Sequence, residues 1–166
     1  DLINAPQHKS FNLDIASELS PKVEGGLNIE ALTNMPNGHL LIGFRSPILE
    51  GKSLIVELLN ADGVIQGQAG LFGQPRLIGL DGGIRAMASH GNQYLIIGNE
   101  RSAEGGQSAL FLWDGESEEV SKVKNIDFAD FNPEAIAIFP DDEGGQILLL
   151  SDDGVRDVEG RRCKDI

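Results

Sequence analysis

The stretch NIEALTNMPNGHLLIGFRSPILEGKS, residues 28–53, recurs in looser form as GIRAMASHGNQYLIIGNERSAEGGQS at residues 83–108. The two stretches align without a gap at an offset of 55 residues. Eight of the 26 aligned positions are identical, namely Ile29/Ile84, Ala31/Ala86, Asn37/Asn92, Leu40/Leu95, Ile42/Ile97, Gly43/Gly98, Gly51/Gly106 and Ser53/Ser108. A third, looser copy begins at Pro133. A strand-rich unit that recurs at about 50 residues is typical of a β-propeller blade.

Turn residues divide each copy into short strands. Clusters of Pro, Asn, Asp and Gly separate apolar stretches of strand length at 36–38, 60–63, 91–92 and 114–115. We therefore predict an all-β fold, a β-propeller with about three four-stranded blades. The predicted blades lie at roughly 27–80, 83–127 and 133–166.

The N-terminal region is predicted to lie outside these blades. Residues 1–8 are predicted to be a tail or connector. Residues 11–15 alternate apolar and polar side chains, which is the period of a half-buried strand. We therefore expect residues 9–19 to supply a strand of a preceding blade.

Three blades are too few to close a propeller, which usually has about 4–8 blades. An open end would expose unpaired strand edges, which invite pairing with another chain. Two completions remain open. Either the other blades belong to a missing segment of the same gene product, or two chains join as a homodimer with six blades, the N-terminal strand of one chain completing the third blade of the other. The chain begins at Asp1 rather than Met, so we expect a fragment or a processed product.

Composition narrows the classes of partner. The net charge of −13 argues against nucleic acid or an anionic membrane surface, because both require a basic face. The longest apolar runs, such as residues 40–44, are far shorter than the roughly 18 residues of a membrane span. Cys163 is the only cysteine, so it forms no intramolecular disulfide and leaves the compartment open.

Several short motifs occur in a fixed order along the chain. They are GLNIEAL at 26–32, LIGFRSP at 41–47, GGIRAM at 82–87, LWDG at 112–115 and NPEAI at 132–136. In this order they resemble the mainly bacterial family known as domain of unknown function 3616, over about residues 24–155. The resemblance implies a β-propeller but no established activity, so no catalytic residue is carried over. Ala31 and Ala135 stand where many members have Gly, a mild departure from the family pattern.

One charged residue recurs at the same repeat position in each predicted blade. Glu30, Arg85 and Glu134 each lie at the start of the first strand of a blade, which in propellers usually lines the central channel. Two interpretations remain open. The three residues form a ligand or cation site at the channel mouth, or they form a girdle of ion pairs that fixes the spacing of the blades. Exposed pairs of this kind contribute only about 0–1 kcal/mol, so their interest is positional.

A second equivalent set lies at the ends of the second strands. It comprises Arg45, Glu100 and Asp152, and it is predicted to face the same channel mouth. Arg45 is the best candidate to anchor an anion, since a guanidinium binds a carboxylate or phosphate through two parallel hydrogen bonds. The alternative is that all three are solvated charges in turns.

Metal and catalytic motifs are weak. Acidic residues at 141–143, 152–153 and 157 offer oxygens suited to Ca²⁺, but their spacing does not match an EF-hand loop, and ordinary acidic turns are the alternative. The three histidines lack zinc-binding spacing, and the chain has no G-x-S-x-G motif.

These patterns favour a scaffold that binds a small molecule or a protein at the channel mouth, since such a scaffold needs no catalytic constellation. The alternative is a metal-dependent propeller hydrolase of the lactonase, esterase or phosphatase type. The fold alone does not decide between them. In the hydrolase, Glu30 and Glu134 should converge on a metal ion, whereas carboxylates paired only with arginines would count against it.

Overall fold

The computed structural model describes residues 1–80, 82–99, 107–128, 131–139, 145–154 and 156–165. The chain is mostly β and its strands form several antiparallel sheets, which confirms the predicted class. Within the described ranges, no sheet closes on itself. No helix in these ranges is long and apolar enough to cross a membrane.

The N-terminal segment is helical, so the strand predicted over residues 9–19 is wrong. Two 3₁₀ helices, Leu2–Asn4 and Pro6–Phe11, precede α1, Leu13–Glu18. The left-handed conformation of Asn12 (φ 50°) separates the second 3₁₀ helix from α1. Leu13 and Ala16 are both buried, so the three-residue spacing of a helix places the apolar residues on one face and overrides the short alternation. The segment is packed rather than free, since Ala5 and His8 are buried as well.

Sheet 1 contains four antiparallel strands in sequential order. They are β1, Asn28–Asn34; β2, Leu40–Leu49; β3, Lys52–Leu58; and β4, Arg76–Ile78. A short helix, α2, Ala61–Ile65, lies between β3 and β4 where a turn was predicted. Sheet 1 therefore occupies the first predicted blade.

Sheet 2 repeats this arrangement with the same strand order. Its strands are β5, Ile84–His90; β6, Gln93–Asn99; β7, Ser108–Trp113; and β8, Ser121–Lys122. The two sheets thus follow the internal repeat of the sequence, strand for strand.

Sheet 3 differs from the predicted four-stranded blade. In the part of the chain that the structure describes, it pairs only β9, Pro133–Phe139, with β10, Gln146–Ser151. The strands β11, Asp157–Val158, and β12, Arg161–Arg162, form a separate hairpin, followed by a 3₁₀ turn at Cys163–Asp165. The strands of the hairpin are two residues long and exposed, so they bring too little apolar surface to pack as outer strands.

The three sheets stack in chain order. One face of sheet 1 packs on sheet 2 through a core that includes Ala31, Leu41, Ile55, Ile84 and Ile96. The far face of sheet 2 packs on sheet 3 through a core that includes Ala86, Ile97, Leu110, Ile136 and Leu149. The outer face of sheet 1 is covered by the N-terminal segment through a core that includes Leu13, Phe44, Leu54 and Val56. This stacking places β1 beside β5 and β5 beside β9.

Candidate functional site

The first strands of the three sheets bring charged residues together. Glu30 lies on β1, Arg85 on β5 and Glu134 on β9, and these strands are neighbours. We call the group formed by these residues and their hydrogen-bond partners the polar cluster. Its members are Asn28, Glu30, Arg45, Arg85, Ser108, Asn132 and Glu134.

Arg85 is the central residue of the polar cluster. Its side chain is only 10% exposed, and it makes an ion pair with Glu134 in which Nη2 donates to Oε1 and Nε donates to Oε2 at 3.3 Å. Its Nη1 donates to Asn132 Oδ1 at 2.8 Å and to Ser108 Oγ at 3.2 Å. Three different strands or loops thus supply acceptors to one guanidinium, which fixes sheet 2 against sheet 3.

The electrostatics of Arg85 follow from this position. Burial lowers the pKa of the Arg85 guanidinium, and the like charge of Arg45 lowers it further. The carboxylates of Glu30 and Asp152 act in the opposite direction and raise it. Arginine nevertheless stays protonated in proteins, so Arg85 remains a fixed positive charge in the polar cluster.

Glu30 is the second charged centre of the polar cluster. Its Oε1 accepts hydrogen bonds from Arg45 Nη1 at 2.8 Å and from Asn28 Nδ2 at 3.0 Å. Its Oε2 is buried and has no hydrogen-bond partner among the described residues. A buried carboxylate oxygen without a donor is costly, so this oxygen is a point where a water or a ligand would be stabilised.

The second predicted set separates in the structure. Arg45 joins the polar cluster through Glu30. Asp152 lies close to it, since its backbone carbonyl accepts from Asn132 Nδ2 at 2.9 Å, but its Oδ1 accepts from the backbone N–H of Gly154 at 3.0 Å. Asp152 therefore stabilises the turn at Gly154 and the side-chain amide of Asn132. Glu100 lies outside the described residues.

An open cleft of about 970 Å³ borders the polar cluster. It lies between the 21–25 loop and the end of the β2–β3 hairpin, where Glu50 and Gly51 both have positive φ angles and form the tight turn. Charged side chains of both signs line it: Lys22, Glu24, Arg45 and Glu50. Arg45 is the residue that the cleft shares with the polar cluster.

Sequence reasoning missed several of these residues. Asn28 and Asn132 stand two positions before Glu30 and Glu134. In each pair the asparagine Nδ2 lies near the glutamate Oε1, at 3.0 Å for Asn28 and 3.5 Å for Asn132. This repeated Asn-x-Glu spacing was a usable signal. Lys22, in contrast, comes from a loop outside the repeat, so no periodicity pointed to it.

The acidic clusters give no metal centre in the described part of the chain, where no group of three His, Cys, Asp or Glu side chains could hold an ion. Asp153 accepts from Ser151 Oγ at 2.8 Å and pairs with Arg156 at 3.5 Å, while Asp157 Oδ1 accepts from the Gly160 N–H at 2.8 Å. These carboxylates therefore stabilise turns. The predicted cluster at 141–143 lies outside the described residues.

The fold and the site together define a mostly β protein of repeated antiparallel sheets, with a polar cluster where the first strands of the sheets meet. The chain belongs to the family described as protein of unknown function (DUF3616), whose model matches residues 7–156. This confirms the family resemblance found from the motifs. Neither the curated proteins nor the solved structures contain a match to this chain. Function must therefore be argued from the site itself.

Proposed function

We propose that this chain is part of a β-propeller that binds a small anionic molecule, such as a carboxylate or a phosphate ester, in the cleft beside the polar cluster. The observation that carries the proposal is the position of Arg45, which lines the cleft while being held by Glu30. A guanidinium that is held in place by one carboxylate still has N–H groups that can donate to a second carboxylate or to a phosphate.

The arrangement of the sheets supports the propeller. Sheets 1 and 2 are four-stranded meanders that repeat in sequence, their first strands lie side by side, and each sheet packs face to face on the next. These are the properties of propeller blades, in which the first strands surround a channel. On this fold, the polar cluster would lie at one mouth of the channel.

The charges of the cleft support an anionic ligand. Arg45 is 43% exposed, so its guanidinium is accessible from solvent. Lys22 also lines the cleft and makes no salt bridge with any described residue. Glu24 and Glu50 also line the cleft and limit its positive potential.

Titration calorimetry with succinate and with inorganic phosphate tests the proposal. We expect saturable binding of at least one probe, weakened about tenfold or more in Arg45→Gln because a charged hydrogen bond is lost. Arg162→Gln removes an exposed arginine that pairs with Asp165, three residues along the chain, and this matched control should bind like the wild type. Equal affinity in Arg45→Gln and the wild type, or no binding of either probe, would contradict the proposal.

The alternative of a metal-dependent hydrolase has less support. Glu30 and Glu134 are each paired with an arginine, and a positive charge beside a carboxylate disfavours a divalent cation there. Glu30 Oε2, which has no hydrogen-bond partner among the described residues, is a feature that favours it. A rise in melting temperature with millimolar Ca²⁺ that Glu30→Gln abolishes would support the hydrolase, and no such rise is expected.

A further inference from the structure

The first strand of each sheet carries a β-bulge at the charged residue of the repeat. The cross-strand register skips one residue in each of these strands, namely Glu30 in β1, Arg85 in β5 and Glu134 in β9. A bulge leaves one residue out of the ladder and redirects its side chain. The three charged side chains are therefore presented by the same backbone irregularity in each sheet.

In sheet 3, the bulge residue and the asparagine two positions before it bind a guanidinium. Both carboxylate oxygens of Glu134 accept from Arg85, and Asn132 Oδ1 accepts from Arg85 Nη1 at 2.8 Å. Arg85 belongs to sheet 2, so the asparagine and the glutamate receive it from outside their own sheet. Three acceptor atoms in this arrangement match the fork of N–H donors of a guanidinium.

Sheet 1 repeats this pair of residues as Asn28 and Glu30. The glutamate side chains are comparably exposed, at 23% for Glu30 and 30% for Glu134. Two of the acceptors that bind Arg85 in sheet 3 correspond here to Glu30 Oε2, which is buried, and to Asn28 Oδ1. No described residue donates a hydrogen bond to either of these two oxygens.

We propose that Asn28 and Glu30 bind a guanidinium group from outside sheet 1, through Asn28 Oδ1 and Glu30 Oε2. A buried carboxylate oxygen without a donor is costly, so an N–H group at Glu30 Oε2 removes a penalty. The torsion that turns a glutamate carboxylate is soft, so this oxygen can turn toward the incoming group. Two sources have the required chemistry, namely a free guanidinium compound and an arginine side chain of another blade. The proposal does not depend on the ligand proposed for the cleft.

Two charge effects set the strength of this binding. The net charge of −13 attracts a cation to the protein. Arg45 opposes the binding, because its Nη1 donates to Glu30 Oε1 at 2.8 Å and brings a like charge beside the site. The same repeat position in sheet 3 is Asp152, which carries the opposite charge. We therefore expect weak binding in the wild type and tighter binding when the charge of Arg45 is removed.

Titration of the full chain with methylguanidinium chloride, followed through the nuclear magnetic resonance signals of the Asn28 side-chain amide, tests the proposal. We expect saturation with a dissociation constant of about 1–10 mM. Methylammonium has the same charge without the planar fork, so it should bind at least about fivefold more weakly. Glu30→Gln should abolish the saturation. Glu116→Gln makes the same change at an exposed residue after β7, and this matched control should bind like the wild type.

Arg45→Gln separates this proposal from the one for the cleft. Loss of the like charge should tighten methylguanidinium binding about threefold or more, whereas the same variant should weaken the binding of succinate or phosphate. A failure of the anionic probes therefore leaves the guanidinium site standing. Methylguanidinium binding that is unchanged or weaker in Arg45→Gln would overturn the guanidinium site.

A capped peptide with the sequence of residues 83–88, GIRAMA, distinguishes the two sources. If another blade supplies the arginine, the peptide should bind about tenfold or more tightly than methylguanidinium, because its apolar flanks add contacts with the exposed Ile29 and Leu32 of β1. Its Arg85→Gln form should not bind. Equal affinities of peptide and methylguanidinium would assign the site to a free guanidinium compound.

Three results would overturn the proposal. The first is the absence of saturable binding of both methylguanidinium and the peptide. The second is saturation that survives in Glu30→Gln while the spectrum of the variant shows an intact fold. The third is methylammonium binding as tight as that of methylguanidinium, since a site that does not distinguish the two recognises a point charge and not a guanidinium.

Discussion

Arg45 donates a 2.8 Å hydrogen bond to Glu30 Oε1, and the same side chain lines the cleft beside the polar cluster. Arg85, the other arginine of the polar cluster, is 10% exposed, and its Nε, Nη1 and Nη2 atoms donate to Glu134, Asn132 and Ser108. The two guanidiniums therefore have different roles. Arg85 holds sheet 2 against sheet 3, whereas Arg45 is accessible to a ligand. This difference predicts different consequences when each is removed.

Removing Arg85 should destabilise the fold. Arg85→Ala leaves the carboxylate of Glu134 and the amide of Asn132 without their main partner, and we expect a loss of about 2–4 kcal/mol in the free energy of unfolding. Arg45→Ala breaks a more exposed pair and should cost about 1 kcal/mol or less. Urea unfolding of both variants measures the contrast. Equal losses would mean that Arg85 is not the central residue of the cluster.

Two glycines of the repeat should resist enlargement. A Cβ on Gly43 would lie 2.9 Å from Ala31 Cβ, and a Cβ on Gly98 would lie 2.5 Å from Leu80 Cδ2. Gly43→Ala and Gly98→Ala should therefore each cost about 1–3 kcal/mol through overpacking. At Gly79 a Cβ would meet only a carbonyl oxygen at 3.4 Å, so Gly79→Ala serves as a near-neutral control. Equal melting temperatures for all three variants would contradict the packing of sheets 1 and 2.

His8 should anchor the N-terminal segment on sheet 1. The ring is fully buried, its Nδ1 lies 2.7 Å from the Leu2 carbonyl oxygen, and it packs against Phe72 at a centroid distance of 5.6 Å. We expect His8→Ala to cost about 2–4 kcal/mol, as for other large-to-small core changes. In His8→Ala, amide hydrogen exchange over residues 1–19 should be faster than in the wild type. His8→Phe keeps the aromatic packing, so its exchange over the same residues should increase less. Unchanged exchange in His8→Ala would mean that the segment is held by other contacts.

The turn after β7 should make stability depend on pH. Hydrogen bonds from the backbone N–H groups of Glu116 and Ser117 and from the Ser117 hydroxyl lower the pKa of the Asp114 carboxyl. A carboxyl with a lowered folded-state pKa stabilises the fold above its unfolded pKa of about 3.9 and loses that contribution as the pH falls through the lowered value. The melting temperature of Asp114→Ala should thus be lower than that of the wild type at pH 7. The difference should shrink in acid, and a constant difference from pH 7 to pH 2 would contradict this origin.

The strands could be predicted from the sequence because the turn residues and the internal repeat indicate the same strand positions. The turns predicted at 36–38 and 91–92 lie between β1 and β2 and between β5 and β6. The N-terminal segment was not accessible, since five alternating residues are too short to outweigh the burial of Leu13 and Ala16 on one helical face. Local alternation is a weak signal where tertiary packing decides.

The candidate site could be predicted in part, again because of the internal repeat. Glu30, Arg85 and Glu134 share a repeat position, so the sequence predicted that they would lie together. Which partner each one takes depends on side-chain geometry, and the pairing of Glu30 with Arg45 rather than Arg85 was not predictable. The cleft depends on Lys22 and Glu24, which lie in a loop outside the repeat.

The most direct test of a ligand site at Arg45 is a nuclear magnetic resonance titration of the arginine Nε–Hε signals with succinate and, separately, with phosphate. We expect the Arg45 signal to shift with a saturable dependence on at least one probe. The Arg85 signal should move little, because its Nε already donates to Glu134. An Arg45 signal that stays in place with both probes, or that moves no more than the signal of the exposed Arg161, would contradict the proposed site.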